Sequence, residues 1–155
     1  MDPRLARFLV ASVALNAAHE VADHWLQTSN QACNKGEKGW RGRRACAGHV
    51  ASYTALQAAA MVGAAKWLGV PLAGNWTAVA LGMSATTHYF ADRRTPLLKL
   101  ARRLGRGGYV DHVVVVREPG AEADRVGPGT GSFHLDQAWH YGWIFAAALV
   151  SAGRR

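Results

Sequence analysis

Histidine and carboxylate side chains recur at helical spacing in four separate apolar segments: His19 with Asp23, His49, His88 with Asp92, and Asp136 with His140. Three of these are i, i+4 pairs, which lie one turn apart on a single helix face. In the first and third segments the polar residues stand at the C-terminal end, and in the second and fourth at the N-terminal end. An up-down-up-down bundle therefore carries all four clusters to one end. This predicts an all-α chain, a four-helix antiparallel bundle with one shared polar pocket.

The segments are residues 5–27, 45–68, 75–93 and 133–152. A basic, glycine-containing connection over 28–44 (TSNQACNKGEKGWRGRR) separates the first two, and a short turn containing Gly69, Pro71 and Gly74 separates the next two. A polar insertion over 94–132 precedes the last. It opens with a short amphipathic helix, TPLLKLARRLGR, in which Leu97, Leu100, Ala101 and Leu104 share a face. It continues through YVDHVVVVR at 109–117, the β-branched run of the chain, which predicts a strand or short hairpin, and ends in the turn GPGTG at 127–131. A chain of 155 residues accommodates this as a single domain, residues 1–155, with the insertion inside it.

Each segment approaches the roughly 20 residues of a bilayer-spanning helix. A soluble bundle carries a wide polar stripe on every helix, but the only strongly polar side chain at 50–65 is Gln57, and only Ser151 interrupts 141–152. Trp25, Trp67, Trp76, Trp139 and Trp143 fall near segment ends, where an interfacial belt sits. The mean hydropathy of −0.05 averages apolar segments with very polar connections. The sequence thus predicts a transmembrane bundle in a bacterial cytoplasmic membrane, with the apolar N-terminal stretch retained as its first helix because no convincing cleavage site follows it. Lys35, Lys38, Arg41, Arg43 and Arg44 in the first connection and Arg93, Arg94, Lys99, Arg102, Arg103 and Arg106 in the third place both in the cytoplasm by the positive-inside rule.

The net charge of +8 favours an anionic neighbour. Anionic lipid headgroups are the first expectation and an anionic substrate the second; nucleic acid, on which Trp40 among the cations could stack, ranks below both. Cys33 and Cys46 make no CxxC, which excludes a zinc ribbon and a disulfide framework.

His19, Asp23, His49, His88, Asp92, Asp136 and His140 form the candidate divalent-metal set, with Glu20 and Asp23 as candidate catalytic carboxylates. Mixed imidazole and carboxylate donors suit zinc first, then manganese or iron. The competing reading is a network of interhelical hydrogen bonds that locks packing in lipid. Sharper motifs fail. HEVADH at 19–24 has one residue too many for HExxH, and its histidines stand about 140° apart on the helical wheel. GPGTG lacks the Lys and Ser/Thr of a P-loop. His24, His112 and His134 lack carboxylates at a convincing helical spacing.

HEVADHWLQ at 19–27, His49, HYFAD at 88–92 and LDQAWH at 135–140 together resemble a small family of bacterial and phage membrane proteins. Its pattern is H-x3-D-x3-Q, a central His, H-x3-D and D-Q-x2-H, and GPGTGSFHLDQAWH resembles its actinobacterial branch. The resemblance covers most of the chain outside 94–125 and implies a membrane protein without implying an activity; some members carry the label of transcriptional regulator. A more distant likeness is to membrane-embedded metal-dependent hydrolases, whose H-R-x-x-T-H-S segment this chain lacks. The functional expectation is a metal-dependent hydrolase of a phosphoester or lipid headgroup. A non-catalytic membrane scaffold and a basic nucleic-acid-binding regulator stand as alternatives.

Overall fold

A computed structural model describes residues 1–153 of the chain. It is all-helical: α1 (Pro3–Val21), α2 (Ser29–Asn34), α3 (Gly39–Trp67), α4 (Gly74–Asp92), α5 (Thr95–Arg103), α6 (Gly107–His112) and α7 (Gly131–Ser151). The long helices α1, α3, α4 and α7 form a ring in which α1 and α4 each pack against both α3 and α7. Chain order makes the neighbours antiparallel, so the histidine-bearing ends coincide.

The core is built from small residues. Ala11, Ala14, Ala80, Ala147 and Ala148 are buried with Leu15, Met61 and Ile144, so the helix backbones approach closely. A closed polar ring lies deeper in the bundle than the histidines. The Tyr53 hydroxyl meets Ser84 Oγ at 2.8 Å, Ser84 Oγ donates to Gln57 Oε1 at 2.9 Å, and Gln57 Nε2 donates back to the Tyr53 hydroxyl at 2.8 Å. Gln57 Nε2 also reaches the Leu15 carbonyl at 3.2 Å, which ties α1 into the ring. At the opposite end Arg7 clamps two chain turns, donating to the carbonyls of Pro71 at 2.8 Å and Ala152 at 3.2 Å.

Several boundaries differ from the sequence expectation. The first segment is not one regular helix: residues Ala22–Leu26 form a π-helical turn after α1. The basic connection is largely helical, because α2 is closed by a Thr28–Gln31 capping box and α3 starts at Gly39 rather than at 45. The Arg93 guanidinium fastens this connection to the end of α4, donating to the Lys35 carbonyl at 2.6 Å and to the Glu37 carbonyl. Gly42 permits the crossing, since a Cβ there would stand 2.1 Å from the Glu37 carbonyl oxygen.

The expected hairpin at 109–117 is corrected. Its first residues belong to α6, and the rest contributes a single antiparallel bridge, Val115 with Asp124, with no strand among the described residues. Val110 is buried, and the Val113 carbonyl accepts from Gly131 N at 2.8 Å, so the segment spends its hydrogen bonds and apolar surface on docking to the start of α7. The expected amphipathic helix is α5, which buries Leu97 and Ala101. The basic tail, Arg154 and Arg155, lies outside the described residues.

Among the described residues one stretch, Pro3–Leu26, is by length and composition long and apolar enough to cross a membrane.

Candidate metal centre

All seven residues of the candidate metal set converge at the expected end of the bundle. His19, His49, His88 and His140 are buried, as is Asp92; Asp23 and Asp136 are half-buried. Each arrives from a different helix position for a local reason. His49, Tyr53, Gln57, Met61 and Ala65 are the inward stripe of α3, spaced four residues apart. His88 follows Ser84 on the inward face of α4, and Asp92 follows His88. His140 heads the stripe of α7 that continues through Ile144 and Ala148. Asp23 lies within the π turn, and its carboxylate faces His19 one turn back with one oxygen and the histidines of α3 and α4 with the other.

The result is a four-donor cage. His49 Nε2 lies 3.0 Å from His88 Nε2, 3.1 Å from Asp23 Oδ1 and 3.5 Å from Asp92 Oδ2. His88 Nε2 lies 3.2 Å from Asp92 Oδ2 and 3.6 Å from Asp23 Oδ1. Around a tetrahedral zinc with bonds near 2.0–2.1 Å, donor atoms stand about 3.3–3.4 Å from one another. The five spacings given bracket that value, and the ligand atoms of Asp23, His49 and His88 all lie within 4.8 Å of one another, with Asp92 beside the two imidazoles. Protons alone explain the arrangement poorly. A neutral imidazole nitrogen is either a donor or an acceptor, yet each Nε2 here faces the other and two carboxylate oxygens at once. Asp92 Oδ2 is buried and makes no hydrogen bond, although two imidazole nitrogens are near it. His49 Nε2 is within hydrogen-bond reach of both His88 Nε2 and Asp23 Oδ1, and one shared proton cannot serve all of these contacts, whereas a cation among them could.

The other three residues surround a neighbouring point. His19, His88 and His140 offer nitrogens all within 4.8 Å of one another. Asp136 Oδ2 stands 3.5 Å from His140 Nε2, and Asp23 Oδ2 stands 3.8 Å from His19 Nδ1. Tyr53 stacks on His88 with ring centroids 3.9 Å apart, fixing the plane of that imidazole.

Glu20 is not brought to the cage. Its side chain is 46% exposed, Oε1 accepts from the Tyr141 hydroxyl at 2.7 Å, and Oε2 faces the exposed His24 at 3.5 Å. Two cations of the basic connections arrive as well, although the sequence did not single them out from the others. Lys35 Nζ contacts Asp92 Oδ1 at 2.8 Å. Arg94 lines the adjoining cavity and its side chain packs over Gly36. Neither carries a helical-spacing signal, since both stand outside the four long helices.

That cavity holds about 260 Å³ and opens beside the cage. Asp23, Asp92, Asp136 and Lys35 contribute polar lining, while Leu97, Leu98, Val126 and Phe133 make it apolar elsewhere. No family model, curated protein or solved structure matches the chain. The site therefore has to be read from its own chemistry.

Arg94 is held at φ 54 and ψ −60, and Thr95 N donates to the Arg93 carbonyl at 2.6 Å. This is a classic γ-turn, rare and strained in L-residues, costing about 1–3 kcal/mol. Arg94→Gly is expected to relieve that strain and raise the thermal midpoint followed by circular dichroism. A lower midpoint would show that the side chain stabilises more than the backbone strains.

Proposed function

We propose that the chain is a membrane-embedded, divalent-metal hydrolase acting on a phosphoester at headgroup level. The observation that carries the metal reading is the cage of four donors, 3.0–3.6 Å apart along the contacts given above, drawn from the π turn, α3 and α4. Its two imidazoles and two carboxylates suit zinc, with manganese or iron as the alternatives.

The membrane reading rests on an inverted distribution of polarity. In α3 the buried face holds His49, Tyr53 and Gln57, while Ala51, Ala55, Ala59 and Val62 are exposed. In α7 His140 and Ser151 are buried and Phe145 and Leu149 exposed. No Asp, Glu, Lys or Arg occurs at 45–65, 74–91 or 137–153. A water-facing bundle places charge on such surfaces; a lipid-facing one does not. The exposed Trp25 and Trp67 sit at opposite ends, in keeping with two interfaces.

The substrate class follows from charge and shape. Asp23 and Asp92 balance a divalent ion, and Lys35 and Arg94 outnumber the remaining carboxylate, Asp136, leaving one surplus positive charge at the cavity, which suits a phosphate. The apolar lining suits an attached acyl or isoprenoid chain. A bound divalent ion supplies acidity to a coordinated water and polarises a phosphoryl oxygen. Asp136, on the cavity lining, is placed to take the proton as the water oxygen bonds to phosphorus. The P–O ester bond breaks, and the departing oxygen takes a proton back from Asp136. Lys35 and Arg94 hold the phosphoryl oxygens. Glu20, engaged by Tyr141, plays no part in this scheme.

The test uses carbonate-washed membranes and the detergent-purified chain. Recovery with membranes, stoichiometric zinc and release of phosphorylated headgroup from phosphatidylglycerol vesicles are expected. Recovery in the soluble fraction overturns the membrane reading, and metal-free protein with an intact fold overturns the hydrolase in favour of a packing scaffold.

A further inference from the structure

Seven candidate ligands are too many for one small divalent ion, which takes four donors when tetrahedral and rarely more than six. The cage already uses four: His49, His88, Asp23 and Asp92. A zinc ion enclosed by four protein donors has no free position for water, which is the pattern of a structural site; catalytic sites keep three protein donors and an open place. The remaining donors need a separate account.

They form a second convergence. His19 Nδ1 and His140 Nε2 are buried, and neither makes a hydrogen bond among the described residues. The two rings are 5.0 Å apart, tilted by 38°, and come from α1 and α7, the pair of helices that the cage uses least. Asp23 joins the two groups. Its Oδ1 lies 3.1 Å from His49 Nε2 in the cage, and its Oδ2 faces His19 Nδ1 at 3.8 Å. A carboxylate that presents one oxygen to each of two donor sets is suited to bridging two cations. Asp136 Oδ2, 3.5 Å from His140 Nε2, borders the cavity.

We infer that the chain binds two divalent ions side by side, one enclosed by His49, His88, Asp23 and Asp92, the other held by His19, His140 and the second oxygen of Asp23. The second ion keeps an open position toward the cavity and Asp136. This inference rests on the metal reading above and refines it: the enclosed ion organises the helices, and the open ion is the one that meets the phosphoester. Paired ions in phosphatases and nucleases stand about 3.5–4 Å apart, a separation that one bridging carboxylate spans.

The experiment is metal counting on the full chain in detergent after zinc loading and gel filtration, paired with electron paramagnetic resonance after manganese loading. Two ions per wild-type chain are expected, with the closely spaced hyperfine lines of an exchange-coupled manganese pair. His19→Gln and His140→Gln are each expected to retain one ion, with the spectrum of isolated manganese and unchanged helicity by circular dichroism. One ion per wild-type chain with an isolated-ion spectrum overturns the second site and leaves the metal-binding reading standing as a single enclosed ion. No ion overturns both. Two ions that persist in His19→Gln place the extra metal elsewhere and overturn the assignment. The wild-type spectrum decides the matter should either variant fail to fold.

Discussion

His88→Ala is expected to empty the His49–His88–Asp23–Asp92 cage while leaving most helicity in place. The imidazole is the shared member of both histidine groups: Nε2 belongs to the cage, and the ring lies 4.3 Å from His140 and 5.7 Å from His19. It is also packed face to face on Tyr53. Truncation thus removes a ligand, opens a buried cavity and frees the Tyr53 ring. Deleting a buried side chain of this size costs about 2–4 kcal/mol by analogy with other large-to-small core changes. His88→Gln keeps much of the volume and is expected to recover most of that stability without recovering metal. Metal content by mass spectrometry and thermal unfolding followed by circular dichroism separate the two effects. Should His88→Gln be destabilised as severely as His88→Ala, with no metal in the wild type, the histidines serve packing. Acidification is expected to mimic the ligand loss. Imidazole nitrogens bind metal only when unprotonated, so zinc affinity falls as pH drops through the histidine range.

The gathering of seven side chains was legible because three of the four clusters repeat at i, i+4 and alternate between segment ends, and antiparallel packing then leaves no other place for them. What the repeat concealed was partner choice. His19 and Asp23 look like a local pair, yet only one oxygen of Asp23 faces His19, and the other, from the π turn at Ala22–Leu26, faces His49 on α3 and His88 on α4. An extra residue in a helical turn leaves no mark in a pattern of residue types. Glu20 was misplaced for a related reason. It shares the stripe of α1 with His19, but a neighbouring position on the wheel was enough to send its carboxylate outward to Tyr141. Lys35 and Arg94 were hidden because tertiary contacts of the connections, such as Arg93 on the Lys35 carbonyl, deliver them. The β-branched run at 109–117 misled because a buried docking surface for Val110 outweighed the local preference for strand.

Among the described residues hydropathy alone singles out one stretch of the four because the exposed residues of α3 and α4 are mostly Ala, Gly and Thr, and their polar stripes point inward. An average over a window cannot tell which side of a helix carries the polarity. The polar stripes that lower the average are the ones that build the pocket.

Asp92→Ala is expected to cost more stability than any other single carboxylate change, and to do so with or without metal. Asp92 is buried, its Oδ1 holds Lys35 Nζ at 2.8 Å, and Lys35 is itself largely enclosed. Removing one partner of a buried ion pair strands the other charge, a loss of about 3–5 kcal/mol. The metal adds a separate contribution, because an ion bound only by the folded chain stabilises it by about 4 kcal/mol at a thousandfold excess over the dissociation constant. A chelator removes the second contribution and spares the first. Asp92→Ala in excess chelator is therefore still expected to unfold well below chelated wild type. Asp92→Asn, which retains an oxygen for Lys35, is expected to fall between them. Lys35→Met in the Asp92→Ala background removes the stranded ammonium and is expected to recover part of the loss, because two apolar groups replace an unpaired charge. Equal midpoints for chelated wild type and chelated Asp92→Ala would show that the ion pair contributes nothing, and that Asp92 acts only as a ligand.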